Sequence, residues 1–243
     1  MKRASRVSLI AILLGLCPAA PASAQQRPAI ADQIAKTYGL DSFGQIDAIR
    51  YTFNIDLTAL KLKISRSWIW EPKTGQVSFE GKDKTGKPLK VTYTRSQVAG
   101  QDAVVKDQVD PAFINDQYWL LFPFHMVWDG SGAAVTDEGM QKLPLGKGSA
   151  RKVVVKYAGG GYTPGDTWTL FVGKDNRVQE MDFRHGGAAK PSQVLATWAG
   201  YKKAGPLLVS TDHRGKADGK AVRVFFSGVA VKLSGSNDWV EAK

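Results

Sequence analysis

Cysteine is almost missing. The one residue in 243, Cys17, lies within an N-terminal apolar run, so disulfides, thiolate catalysis and cysteine-based zinc sites are excluded from the chain beyond that run. Histidine is nearly as scarce: His125, His185 and His213 are the only imidazoles, and no H-E-x-x-H or other paired spacing links them. No G-x-S-x-G turn is present, which removes the strained nucleophile elbow of one large hydrolase class. Gly159-Gly160-Gly161 runs into Tyr162, Thr163 and Pro164 instead of Lys-Ser or Lys-Thr, so it fails as a phosphate loop and reads as a hairpin turn. No apolar run reaches the ~20 residues of a membrane-spanning helix. Arginine-rich helices and RNP-like aromatic motifs are lacking too, which argues against a nucleic-acid partner. These absences leave no metal, no cofactor and no catalytic residue to expect.

What is present begins with an export signal. Lys2, Arg3 and Arg6 precede the apolar residues 7–16, and Ala22-Ser23-Ala24 supplies a cleavage site. Leu16 before Cys17 and Pro18 after it do not suit lipid attachment, so cleavage is expected after Ala24, leaving residues 25–243 as one exported, periplasmic domain. The leader carries three of the 33 basic residues and none of the 22 acidic ones, which leaves an excess of eight positive charges over 219 residues. Lys61, Lys63, Lys82, Lys84, Lys87 and Lys90 recur singly, a pattern that fits an anionic membrane surface or an acidic partner, and equally a solvated surface that keeps edge strands apart.

Periodicity then sets the fold class. Residues 28–40 hold Ile30, Ile34, Ala35 and Tyr38 at helical spacing, with Gly39 at the end as a C-cap. From Ile49 the period is two: Ile49, Tyr51, Phe53, Ile55 and Leu57 share one face, and Leu60 to Trp70, Gln76 to Gly81 and Leu89 to Tyr93 continue an antiparallel meander. Further strands are expected at residues 151–157, 168–172, 178–184, 194–201, 207–212 and 221–233, with Trp239 and Val240 closing the end. The result is a mainly β, α+β chain: about ten strands in a large curled antiparallel sheet, with a few helices over its concave face.

Residues 110–130 are the centre of this plan. Asp110 and Pro111 suit a helix start, and Pro123 is expected to end that helix. Phe124, Met126 and Trp128 then alternate like a strand towards a turn at Asp129-Gly130. So much aromatic and aliphatic bulk has to be covered, either filling the concave face or lining a hydrophobic cavity there. Trp68, Trp70, Trp119, Phe122, Trp128 and Trp168 are the expected ligand-binding residues of such a cavity, with ordinary core packing as the alternative for each. His125 has Asp129 or Asp116 within reach of a proton-transfer pair, against the plainer reading of a histidine on a polar strand face; His185 and His213, each before a glycine-containing stretch, read as turn residues. The carboxylates are singles, and Asp137-Glu138 reads as solvated loop.

The segment Ile114-Asn115-Asp116-Gln117-Tyr118-Trp119-Leu120-Leu121, running into Pro123-Phe124, resembles an N-D-x-Y-W-L-L-x-P-F signature of LolA-like envelope proteins. The hairpin from Trp168 to Val172 and Arg177 to Arg184 is similar to one that recurs in LolA- and LolB-type carriers. The resemblance implies an open half-barrel closed by helices, an acyl chain or lipoprotein in its cavity, and residues 110–130 among the lid elements. A cavity arginine would be Arg50, Arg66 or Arg95. The leading expectation is a monomeric, non-enzymatic periplasmic protein that binds a lipidic or acyl ligand, or a lipoprotein. The alternatives are an envelope interaction module with a packed core, and a hydrolase-type enzyme using His125.

Overall fold

The computed structural model describes residues 27–158, 164–186 and 192–243, so the expected leader and the glycine turn at 159–161 lie outside the described residues. In chain order the elements are α1 (Ala29–Thr37), β1 (Ile46–Leu57), β2 (Leu62–Glu71), β3 (Gln76–Lys82) and β4 (Pro88–Thr94), then α2 (Asp110–Trp128). After α2 come β5 (Ala133–Lys142), β6 (Ser149–Tyr157), β7 (Thr167–Val172), β8 (Val178–Arg184), β9 (Gln193–Thr197), β10 (Ala199–Ala204), β11 (Leu207–Ala217), β12 (Lys220–Leu233) and β13 (Trp239–Glu241). All thirteen strands belong to one antiparallel sheet in the order β4-β3-β2-β1-β12-β11-β9-β8-β7-β6-β5, with β10 added along β11 and β13 along β12. The sheet is open, a half-barrel whose free edges are β4 and β5.

Those two edges explain α2. The chain leaves the sheet at one edge and re-enters at the other, so the segment between has to cross the inner face. A helix in that position is covered over most of its circumference and carries apolar residues on more than one face, unlike a surface helix with one apolar stripe. Phe113, Trp119, Leu120, Leu121, Phe122, Phe124 and Met126 are accordingly all buried. The strand alternation supplies the facing surface: Tyr51, Trp68 and Phe79 lie side by side across β1, β2 and β3, and Phe53 lies beside Phe226 on β12. Trp68 meets Phe113 of α2 at 5.4 Å between ring centroids, and Trp168 meets Phe122 at 4.1 Å. The small helix α1 buries Ile30, Ala31, Ile34 and Ala35 against α2, and Gly39 follows it with φ +105°, the left-handed C-cap read from the sequence.

Four readings are corrected. Pro123 does not end the helix: the backbone breaks at Leu121 (φ −118°, ψ 17°) and α2 continues to Trp128, so no strand follows the proline. The break lets Pro123 sit near the start of a second helical segment, where its missing N–H costs little. The polar stretch Ala133–Lys142 is a strand that alternation did not reveal, because an edge strand with a bulge between Asp137 and Met140 carries charges on much of its length. The strand expected over 194–201 is bent at Trp198 into β9 and β10. Finally, His213 is no turn residue but lies within β11, fully buried. The glycine after it, Gly215, marks a close approach: a Cβ there would fall on the Leu195 carbonyl of β9.

Candidate functional site

The interior is closely packed. Of the six aromatic residues put forward as ligand-binding, Trp68, Trp119, Phe122 and Trp168 are buried and touch one another's neighbours: Trp68 lies 4.7 Å from Phe79, and Trp119 lies 5.4 Å from Trp168. Trp70 and Trp128 are half-buried at 6.4 Å from each other, flanking Phe43. Trp68 borders a shallow depression of about 380 Å³ and Trp168 a recess of about 270 Å³ beside Tyr118 and His185.

Polar side chains hold α2 in place. Asp116, with no exposure, accepts both Nε and a terminal nitrogen of Arg66 (2.7 and 2.5 Å), the Trp68 indole N–H (2.9 Å) and the Asn115 amide (3.0 Å). Burial pushes the Asp116 carboxyl up, and the bidentate guanidinium opposes that push. Asp110 accepts the Tyr93 hydroxyl (2.7 Å) and Arg95 Nε (3.1 Å). Of the three arginines left open by the sequence, Arg66 therefore lies on the inner face and Arg95 flanks it, while Arg50 pairs with Glu241.

His125 has Asp129, and not Asp116, as its partner: Nδ1 lies 3.0 Å from Asp129 Oδ1 and Nε2 lies 2.9 Å from the side-chain amide oxygen (Oε1) of Gln117. Asp129 also accepts the hydroxyls of Tyr118 (2.9 Å) and Tyr157 (2.7 Å). Burial alone would raise this carboxyl, but the bonds from His125, Tyr157 and Tyr118 outweigh it and hold Asp129 below its ordinary value. Both imidazole nitrogens are thus engaged by the protein, leaving none to face a ligand. His185 pairs with the buried Asp166 at 2.9 Å. His213 packs against Trp198 (4.2 Å), Trp119 and Phe226, with the Thr197 backbone as its nearest polar neighbour. Burial pushes it down to about 3, against a weaker upward pull from the Thr197 backbone and Asp212.

The open space lies elsewhere, in a cleft of about 1010 Å³ between β2, the β3–β4 hairpin and the start of α2. Leu62, Ile64, Phe79, Leu89, Val109 and Ala112 give it apolar walls, and Lys63, Lys82, Lys84 and Lys90 stand on its rim. It exists because the sheet forks. Pairing of β2 with β3 stops at Ser67 opposite Glu80, although β2 runs back to Leu62 along β1 and β3 runs on to Lys82 along β4. The hairpin tip is tied to the helical turn Val105–Val109 that leads into α2: the Lys84 N–H donates to Gln108 Oε1 (3.1 Å) and Lys84 Nζ to the Asp107 carbonyl (3.4 Å). At the fork Gly81 leaves room for the Phe79 ring, whose Cζ would lie 2.7 Å from a Cβ there. Leu60 and Leu62, 53% and 41% exposed, project beside the mouth. The sequence marked the leucines and lysines here only as strand alternation; the one local cue to a gap was a glycine inside a strand.

No family model matches the chain, and no curated protein matches it. Among solved structures it is similar to a LolA superfamily protein from Nitrosomonas europaea, at 9% identity and a TM-score of 0.47, covering 86% of this chain and 95% of that one. It is also similar to a DUF1329 family protein from Desulfovibrio piger, at 10% identity and a TM-score of 0.46, covering 86% of this chain and 94% of that one. At such identity and overlap neither likeness speaks to chemistry, and the half-barrel stands on its own strand order.

Proposed function

We propose that the protein is a non-enzymatic, exported binding protein whose forked cleft receives the acyl part of a lipidic ligand or lipoprotein. The observation that carries this reading is the cleft itself. Its volume of about 1010 Å³ lies at the top of the range for small-ligand pockets, and Leu62, Ile64, Phe79, Leu89, Val109 and Ala112 supply apolar wall among its polar residues. Burial of about fifteen methylenes would gain ~12 kcal/mol. After an association cost of at least ~4 kcal/mol, about 8 kcal/mol remains, which corresponds to micromolar affinity without any polar motif. Of the six aromatics named from the sequence, Trp68 stands nearest, backing the Phe79 wall. The exposed Leu60 and Leu62, with Lys61 and Lys63 between and beside them, suit contact with an anionic membrane surface in the periplasm.

The test is uptake of a fluorescent palmitate analogue by the purified protein and by an Ile64→Glu variant, with native mass spectrometry of protein taken from its own compartment. Saturable uptake that the variant loses, or a co-purifying lipid, supports the reading. Bare protein that takes up nothing sinks it. One observation favours the second reading, an interaction module: α2 and its aromatic neighbours fill the inner face. None favours an enzyme built on His125, whose nitrogens are both occupied.

A further inference from the structure

The fork leaves a strand edge without a neighbour. On one side β2 pairs with β1 as far as Leu62 opposite Leu57; on the other its pairing ends at Ser67, so residues 62–66 present an edge of backbone N–H and C=O groups to the cleft. An acyl chain cannot bond such groups, whereas an extended backbone does so at every second residue. We propose that this edge of β2 is a docking edge for an extended peptide, which adds to the sheet as an antiparallel strand inside the fork. The reading goes beyond the lipid proposal, since it needs no acyl chain.

The side chains specify the occupant. Across the fork, Leu62 and Ile64 of β2 and Phe79 of β3 point to the inner face, while Lys63 of β2 and Lys82 of β3 point to the outer face, where Glu80 of β3 is already matched by Lys90 of β4. A strand laid between β2 and β3 meets apolar neighbours at alternate residues on one side and an excess of ammonium groups, Lys63, Lys82 and Lys90 against Glu80, on the other. It therefore alternates apolar and acidic residues, and five of them span ~17 Å, the length of the free edge. Of these lysines, Lys63 lies 3.9 Å from Asp56 and Lys90 lies 3.2 Å from Glu80, both on the highly exposed outer surface where such pairs are readily exchanged. A long unpaired edge is otherwise an aggregation hazard, and here the hairpin wall and the lysines limit what can reach it.

The experiment uses the whole exported protein and a short labelled peptide alternating valine and glutamate, read by fluorescence anisotropy and by amide hydrogen exchange. Two further peptides carry N-methyl groups on every second residue, one in each register. The expected result is saturable binding, slowed exchange of those amides in residues 62–66 that do not bond β1, and a loss of about tenfold or more for at least one methylated register. Replacing glutamate by lysine in the peptide is expected to abolish binding. No binding of the parent peptide, full affinity of both methylated peptides, or unchanged exchange in β2 overturns the proposal. Palmitate uptake measured on the same sample separates the two readings: uptake with no peptide binding overturns strand docking alone, and peptide binding with no uptake overturns the lipid reading alone.

Discussion

His213 makes the stability of this protein depend on pH in a way that can be worked out from its surroundings. Its ring is fully buried among Trp198, Trp119 and Phe226, and burial lowers its pKa from 6.5 to about 3. The folded state thus holds His213 neutral, while the unfolded chain takes up a proton as soon as pH falls through 6.5. More protons on the unfolded state means that stability falls with falling pH, and the loss continues until pH 3. Between pH 7 and pH 5 the two titration curves separate by about 2 kcal/mol. Asp129 and Asp212, whose pKa values are held below 3.8, lose their contribution only as pH falls below that value, outside this window. The perturbation is His213→Leu, which removes the titrating group from its buried aromatic surroundings. Urea unfolding followed by tryptophan fluorescence gives the free energy of both proteins at pH 7 and pH 5, and their difference cancels every other titrating group. The variant should lose about 2 kcal/mol less than the parent over that interval. Parallel decline of the two proteins would refute the reasoning and require that His213 is solvated or bonded.

Two further outcomes follow from the packing. Asp116→Ala leaves Arg66 unpaired against the helix and strips the Trp68 indole of its acceptor, so a loss of about 3–5 kcal/mol is expected in urea unfolding, whereas replacing both Arg66 and Asp116 by apolar residues should cost much less. Gly215→Ala would place a methyl group on the Leu195 carbonyl and should prevent stable folding; Gly44→Ala, which meets nothing within 4 Å, should lie within about 0.5 kcal/mol of the parent, as read by thermal unfolding.

The parts legible in the sequence are those whose cause is local. Alternation placed β1, β2, β4 and β7 because one face of each is apolar, turn residues placed β3 and β8 beside them, and the density of aromatics at 110–130 announced a covered segment. The misreadings share one cause, a residue type whose usual local meaning is overruled by a distant neighbour. Pro123 usually stops a helix, yet the helix continues because the inner face encloses it on both sides of the break at Leu121. Gly215 usually marks a turn, yet here it admits the backbone of β9. In the edge strand β5 only Ala133 and Val135 alternate inward, too short a run to stand out before the polar residues that follow.

The fork is the clearest case of a feature without a local signature. The residues that make it, Lys84 with Gln108 and Arg66 with Asp116, are separated by 24 and 50 positions; the first bond ties the sheet to the turn before α2 and the second to α2 itself. Because α2 joins the two free edges, its first turns must pass close to β4 before they descend across the inner face. The β3–β4 hairpin leans towards that point and away from β2. The same crossing that fills the interior with aromatic side chains therefore opens a cleft at the margin, and it opens it between two strands rather than above them. Free space bounded by both apolar side chains and unpaired backbone is the physical consequence.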